Sequence, residues 1–161
     1  MDGFIKRILV YIDGSEQSFS ASQYGVYMAR ALGAELYGIY VVNTRALNDL
    51  VKSHIFIQEE EAEYHRDLES DADRYLKLFQ EMAEAKGLTP VCMKKSGAVH
   101  QLVKELIDEK GIDMLIMGEL SRIRSRRDET YNEAERTMRY VACPVLIAKD
   151  EDRVQDLYDR L

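Results

Sequence analysis

Short apolar runs punctuate the chain, and the stretches between them place apolar residues every three or four positions. Ile8 to Ile12 is the first run; it stops at Asp13-Gly14-Ser15, as a buried strand ending in a turn does. Ala21, Tyr24, Gly25, Met28, Ala29 and Leu32 then fall at helical spacing before Gly33, which closes the helix. Glu35 to Val42 carries β-branched and aromatic residues up to Asn43 and predicts a second strand. Residues 44 to 57 are the least regular part, and a lid, a partner contact and a plain connection all fit them. A long helix is predicted from about Gln58, with Leu68, Ala72, Tyr75, Leu76, Phe79, Met82 and Ala83 on one stripe and a stop at Gly87 and Pro90. A strand over Thr89 to Lys94, a helix over Val99 to Lys110 and a strand over Asp113 to Met117 follow. Thr130-Tyr131-Asn132-Glu133 fits a capping box, so the last long helix is predicted to start near Thr130 or Tyr131. Pro144 opens a final strand over Val145 to Ala148. Strands alternating with helices predict an α/β domain with a parallel sheet and helices on both faces.

Composition narrows the function classes. The 161 residues suit one domain over residues 1–149, followed by a tail, 150–161, whose Val154, Leu157, Tyr158 and Leu161 allow a short helix. A net charge of -7 argues against a nucleic-acid partner, and no apolar run approaches the roughly 20 residues that span a bilayer. Cys92 and Cys143 match no metal-ligand spacing, and Met1 to Arg7 has no apolar signal region, so a reduced cytoplasmic protein is expected. The acidic run Glu59, Glu60, Glu61 and Glu63 lies where a helix start favours carboxylates, which makes a solvated helix end a better reading than a metal site.

Ligands of open α/β sheets sit beyond the carboxyl ends of the strands, which directs attention to Asp13 and Gly118. The Asp-Gly-Ser strand end, the helix end Ala31-Leu32-Gly33-Ala34-Glu35-Leu36, the Val41-Val42 strand end, the strand running to Gly118 and the terminal Cys143-Pro144-Val145-Leu146 occur together in one order. In this the chain resembles the universal stress protein family over roughly residues 5 to 149. The resemblance implies a five-stranded sheet of order 3-2-1-4-5 and a homodimer built along the last strand through Val145, Leu146 and Ile147. An apolar edge is a natural pairing surface.

The resemblance also divides the candidate ligand site in two. On the nucleoside side it places Asp13 and Tyr11 near a ribose or base, the backbone of Val41 against the base, and Met117 and Gly118 on the opposite wall. On the phosphate side the nucleotide-binding branch has a second glycine and a Gly-Ser or Gly-Thr at a helix start, where backbone amides meet phosphate oxygens. Here those positions are Ser121, Tyr131 and Asn132, so only the first glycine, Gly118, is kept. Glu133 would set a carboxylate where phosphates lie, and like charges repel. Arg122, Arg124, Arg126 and Arg127 offer guanidinium groups that can grip an anion, although ion pairing with neighbouring acids is the simpler role. Asp13 and Ser15 have a ligand-free role as well, capping the first helix.

Other classes lack their central residues. There is no Ser-Gly-Gly loop or Gly-x-Gly-x-x-Gly after the first strand, and no acceptor Asp ends the third, where Lys94-Lys95-Ser96 stand. His54, His65 and His100 are expected as solvated surface groups, with no nucleophile at catalytic spacing. The expectation is a non-enzymatic, cytoplasmic stress-response homodimer acting through an unidentified protein partner, with no certain cofactor. The alternative is a switch operated by ATP or AMP, using Asp13, Val41, Gly118 and the arginine loop.

Overall fold

The computed structural model describes residues 3–53, 58–120 and 132–161. In order these form β1 (Arg7–Ile12), α1 (Glu16–Leu32), β2 (Glu35–Val42), α2 (Thr44–Lys52), α3 (Gln58–Glu84), β3 (Val91–Ser96), α4 (Val99–Lys110), β4 (Met114–Gly118), α5 (Glu133–Tyr140), β5 (Val145–Ala148) and α6 (Glu151–Asp159). The strands make one parallel sheet of order β3-β2-β1-β4-β5, as the resemblance implies.

The near-continuous apolar character of β1 and β4 follows from helices covering both sheet faces. Side chains alternate across the pleat, so Ile8, Val10 and Ile12 pack with Met114 and Ile116 among residues of α1 and α3. Leu9 and Tyr11 face the other way and pack with Leu115 and Met117 against Val99, Val103, Leu106 and Ile107 of α4. Phe79 of α3 is 1% exposed and lies over Gly38 of β2, which has no side chain to hold it off. At about 1.5 Å per residue the 27 residues of α3 run about 40 Å, longer than any strand beneath them. Its Glu69 and Asp73 reach Lys94 on the edge strand β3 at 2.9 and 2.8 Å.

Four expectations change. Residues 44–52 are a helix, α2, whose Leu47 is buried at 3% exposure, while residues 54–57 lie outside the described part. β3 begins after Pro90, which has no N–H to give the ladder, and runs on through Lys94 and Lys95 because an edge strand lets such side chains reach solvent and the acids of α3. α5 begins at Glu133, not at Thr130 or Tyr131. Asn132 is its cap, with Oδ1 accepting the Glu135 N–H at 3.0 Å, so Glu133 is the first helical residue and cannot reach back to close a capping box. His100 is buried at 9% exposure, because α5 packs over the start of α4. The tail docks on its own chain. Val154 of α6 is buried, and the Tyr158 hydroxyl donates to the Met82 carbonyl at 2.8 Å.

Candidate functional site

The central strand β1 separates from β4 before its carboxyl end, while it stays paired with β2 to its last residue. Its pairing with β4 ends at Val10 opposite Ile116, and with β2 at Ile12 opposite Tyr40, while β4 and β2 each run further. The gap between β1 and β4 is the point where strand order reverses, and such a gap is where open sheets hold ligands. A cavity of about 50 Å³ sits there, lined by Tyr11, Asp13, Ser15, Gln17, Ser18, Met117, Gly118, Glu119 and Ala134.

Four expected site residues, Tyr11, Asp13, Met117 and Gly118, therefore come together. Val41 does not line this cavity: it lies on β2 paired with Lys95, among the residues packed under α4. Asn132 is near, one residue before the helix that supplies Ala134, but its side chain is spent on the α5 cap. Ser121, Arg122 and Arg124 lie outside the described residues, as does Tyr131.

The β1 wall is tied up in its own hydrogen bonds. Ser15 caps α1, its hydroxyl oxygen accepting the Ser18 N–H at 3.1 Å. Asp13 Oδ1 in turn accepts the Ser15 N–H at 3.0 Å and the Ser15 hydroxyl at 2.5 Å. This is the capping role that the sequence allows, and it orients an exposed carboxylate at the cavity mouth. Gly14 between them has φ 81°, a left-handed conformation that glycine adopts freely, and the Tyr75 ring occupies the space of a side chain.

On the β4 wall, Gly118 has a packing reason to be glycine. A β-carbon there would overlap the Gln17 carbonyl and lie 2.6 Å from the Gln17 β-carbon, so the strand end and the first turn of α1 meet backbone to backbone. Across the cavity, burial and then the charges of Asp13 and Glu133 push the Tyr11 phenol well above its usual range. It stays neutral and donates or accepts as a hydroxyl.

Sequence reasoning missed the pair behind that wall. Glu133 Oε1 meets the Arg136 guanidinium at 3.3 Å, while Oε2 is buried without a hydrogen-bond partner. It faces Nδ1 of His100 at 3.9 Å, also buried and also without a partner. The Tyr140 ring meets the imidazole edge to face, centroids 4.9 Å apart. No motif spacing joins positions 100 and 133; only the packing of α5 on α4 does. Burial pushes the Cys92 and Cys143 thiols up, so neither presents a thiolate near neutral pH. Among the described residues no cluster of three or more His, Cys, Asp or Glu forms a metal site, and no helix is long and apolar enough to cross a membrane.

Comparison with known proteins places these features in a family. The universal stress protein family matches residues 5–149. Universal stress protein MJ0531 of Methanocaldococcus jannaschii is 26% identical over 148 residues, 92% of this chain and 84% of that one. Among solved structures, universal stress protein UspA of Lactobacillus plantarum superposes with a TM-score of 0.69 at 17% identity, covering 91% of this chain and 99% of that one. A universal stress protein family protein of Arabidopsis thaliana, solved with AMP bound, has a TM-score of 0.62 at 14% identity over 92% and 94% of the two chains. The fold, the order of the strand-end motifs and the match over nearly the whole chain agree: this protein belongs to the universal stress protein family.

Proposed function

We propose that this chain is a non-enzymatic, cytoplasmic stress-response or regulatory member of the family, that it works as a homodimer through contacts with other proteins, and that its crevice does not take ATP. One observation carries the reading: Glu133, the first residue of α5, holds a carboxylate only 16% exposed against the cavity wall. Its charge acts on Tyr11, and its neighbour Ala134 lines the cavity. A helix start that receives phosphate offers amides and a positive field; here the first turn adds two acids, Glu133 and Glu135, and spends an amide on Asn132. The dimer is supported by β5, an edge strand that among the described residues pairs with β4 alone and leaves Val145, Leu146 and Ile147 only half buried.

A second reading, a nucleotide-operated switch, draws on the juxtaposition of Tyr11, Asp13, Met117 and Gly118 and on the AMP held by the Arabidopsis neighbour. Calorimetric titration of the folded protein with ATP, with and without magnesium, separates the two. No heat is expected; micromolar binding that Asp13→Ala abolishes would establish the switch instead. For the dimer, Ile147→Lys is expected to convert the protein to monomers in sedimentation, whereas a wild-type monomer would remove that part of the proposal.

A further inference from the structure

A buried imidazole and a buried carboxylate that face each other without bonding to each other are costly to leave so. His100 sits in the first turn of α4 and Glu133 in the first turn of α5, so any bond between them ties together two helix starts that meet beside the strand-end crevice. We infer that His100 and Glu133 form a proton-operated latch between α4 and α5, open when the imidazole is neutral and closed when it is charged.

The geometry is suited to this. At 3.9 Å the two atoms are too far apart for a hydrogen bond, yet a contraction of about 1 Å brings them to the 2.7–2.9 Å typical of a charge-assisted one. In the Nε2–H tautomer the neutral imidazole turns a bare acceptor, Nδ1, toward Oε2; one proton from solvent then makes it a cation with an N–H on both ring nitrogens, and Nδ1–H donates to Oε2. No other bond is broken, because Arg136 holds the opposite oxygen of Glu133. Among the described residues, the charged and titratable groups on the elements that pack around the imidazole have partners or are neutral. On α5 these are Arg136, bound to Glu133, and the Tyr140 ring; on α4, Lys104 one turn on is held by Asp108 at 2.7 Å; from β1 come neutral Tyr11 and, beyond it, Asp13. Histidine is the side chain that most readily exchanges a proton near neutral pH, which makes it the natural member of such a pair to carry the switch.

The pair is brought together only in the folded chain, by the packing of α5 on α4. The latch stands whether or not the crevice takes a nucleotide, because its readout is the order of α5. In the wild-type protein, hydrogen exchange of the α5 amides from Arg136 to Tyr140, corrected for the intrinsic rate, is expected to be roughly tenfold more protected at about pH 5.5 than at about pH 8, the factor appropriate to one charge-assisted bond. His100→Gln should erase that difference and His65→Gln should leave it. A double-mutant cycle between His100→Gln and Glu133→Gln should show coupling at the lower pH and none at the higher. Equal protection at both pH values, or a difference that survives His100→Gln, overturns the latch.

Discussion

The two walls of the strand-end crevice start from the same problem, a helix N-terminus that must satisfy its first amides, and solve it differently. On the β1 wall, Asp13, Ser15 and Ser18 form a chain in which each hydroxyl or carboxylate is used: Ser15 caps α1, Asp13 holds Ser15, and the Ser18 hydroxyl donates to the Ser15 carbonyl at 3.0 Å. On the β4 wall, Asn132 caps α5 just as well, but the next residue, Glu133, leaves one buried oxygen facing an imidazole at 3.9 Å. The first wall is a structural device that also points a carboxylate at solvent. The second keeps an electrostatic imbalance that folding alone would be expected to remove. The contrast places the proposed latch on the β4 side.

The largest test of the comparison concerns the contact between the walls. Gly118→Ala drives a methyl group into the Gln17 backbone, which cannot swing aside as a side chain can, and about 3 kcal/mol of stability should be lost in urea unfolding. A loss of only a few tenths would mean that Gly118 is there for a ligand and not for packing. Next come the caps. Ser15→Ala and Asn132→Ala should each cost about 1 kcal/mol. Asp13→Ala combined with Ser15→Ala should cost less than the two changes summed, because the residues act as one unit, whereas Asn132→Ala should add independently to either.

Alkaline titration probes the phenols under the crevice. Burial, with Asp71 and Asp13 close by, pushes Tyr40 up to about 12, and Tyr11 is raised further. An unfolded tyrosine ionises near pH ~10, so the stabilisation is complete below that pH and drains as pH climbs through about 12. Spectrophotometric titration should therefore show these rings ionising later than the exposed tyrosines, together with a fall in thermal stability over the same interval. Simple titration of every ring near ~10 in a folded protein would contradict their burial.

How far each wall was legible in the sequence follows the same division. β1, α1 and β2 are local: an apolar run ending at Asp13-Gly14-Ser15, small residues at helical spacing and a stop at Gly33 specify them without reference to distant parts of the chain. The start of α5 is ambiguous in sequence because Thr130-x-x-Glu133 and Asn132-x-x-Glu135 are overlapping cap signals, and only the second is used. The burial of His100 is wholly non-local. A lone polar residue in the first turn of α4 looks solvated until α5 arrives to cover it. The Arg122 and Arg124 side of the candidate site lies outside the described residues, so the phosphate half rests on Glu133 and Asn132.

The central claim is that the β4 wall opposes phosphate, and a ladder of ligands measures it directly. Adenosine, AMP, ADP and ATP are titrated calorimetrically into the wild-type protein and into Glu133→Gln at one pH and ionic strength. The account predicts that affinity does not rise with added phosphates in the wild type and does rise in Glu133→Gln, once the carboxylate no longer repels them. Affinity that climbs from adenosine to ATP in the wild-type protein, unchanged by Glu133→Gln, would contradict it.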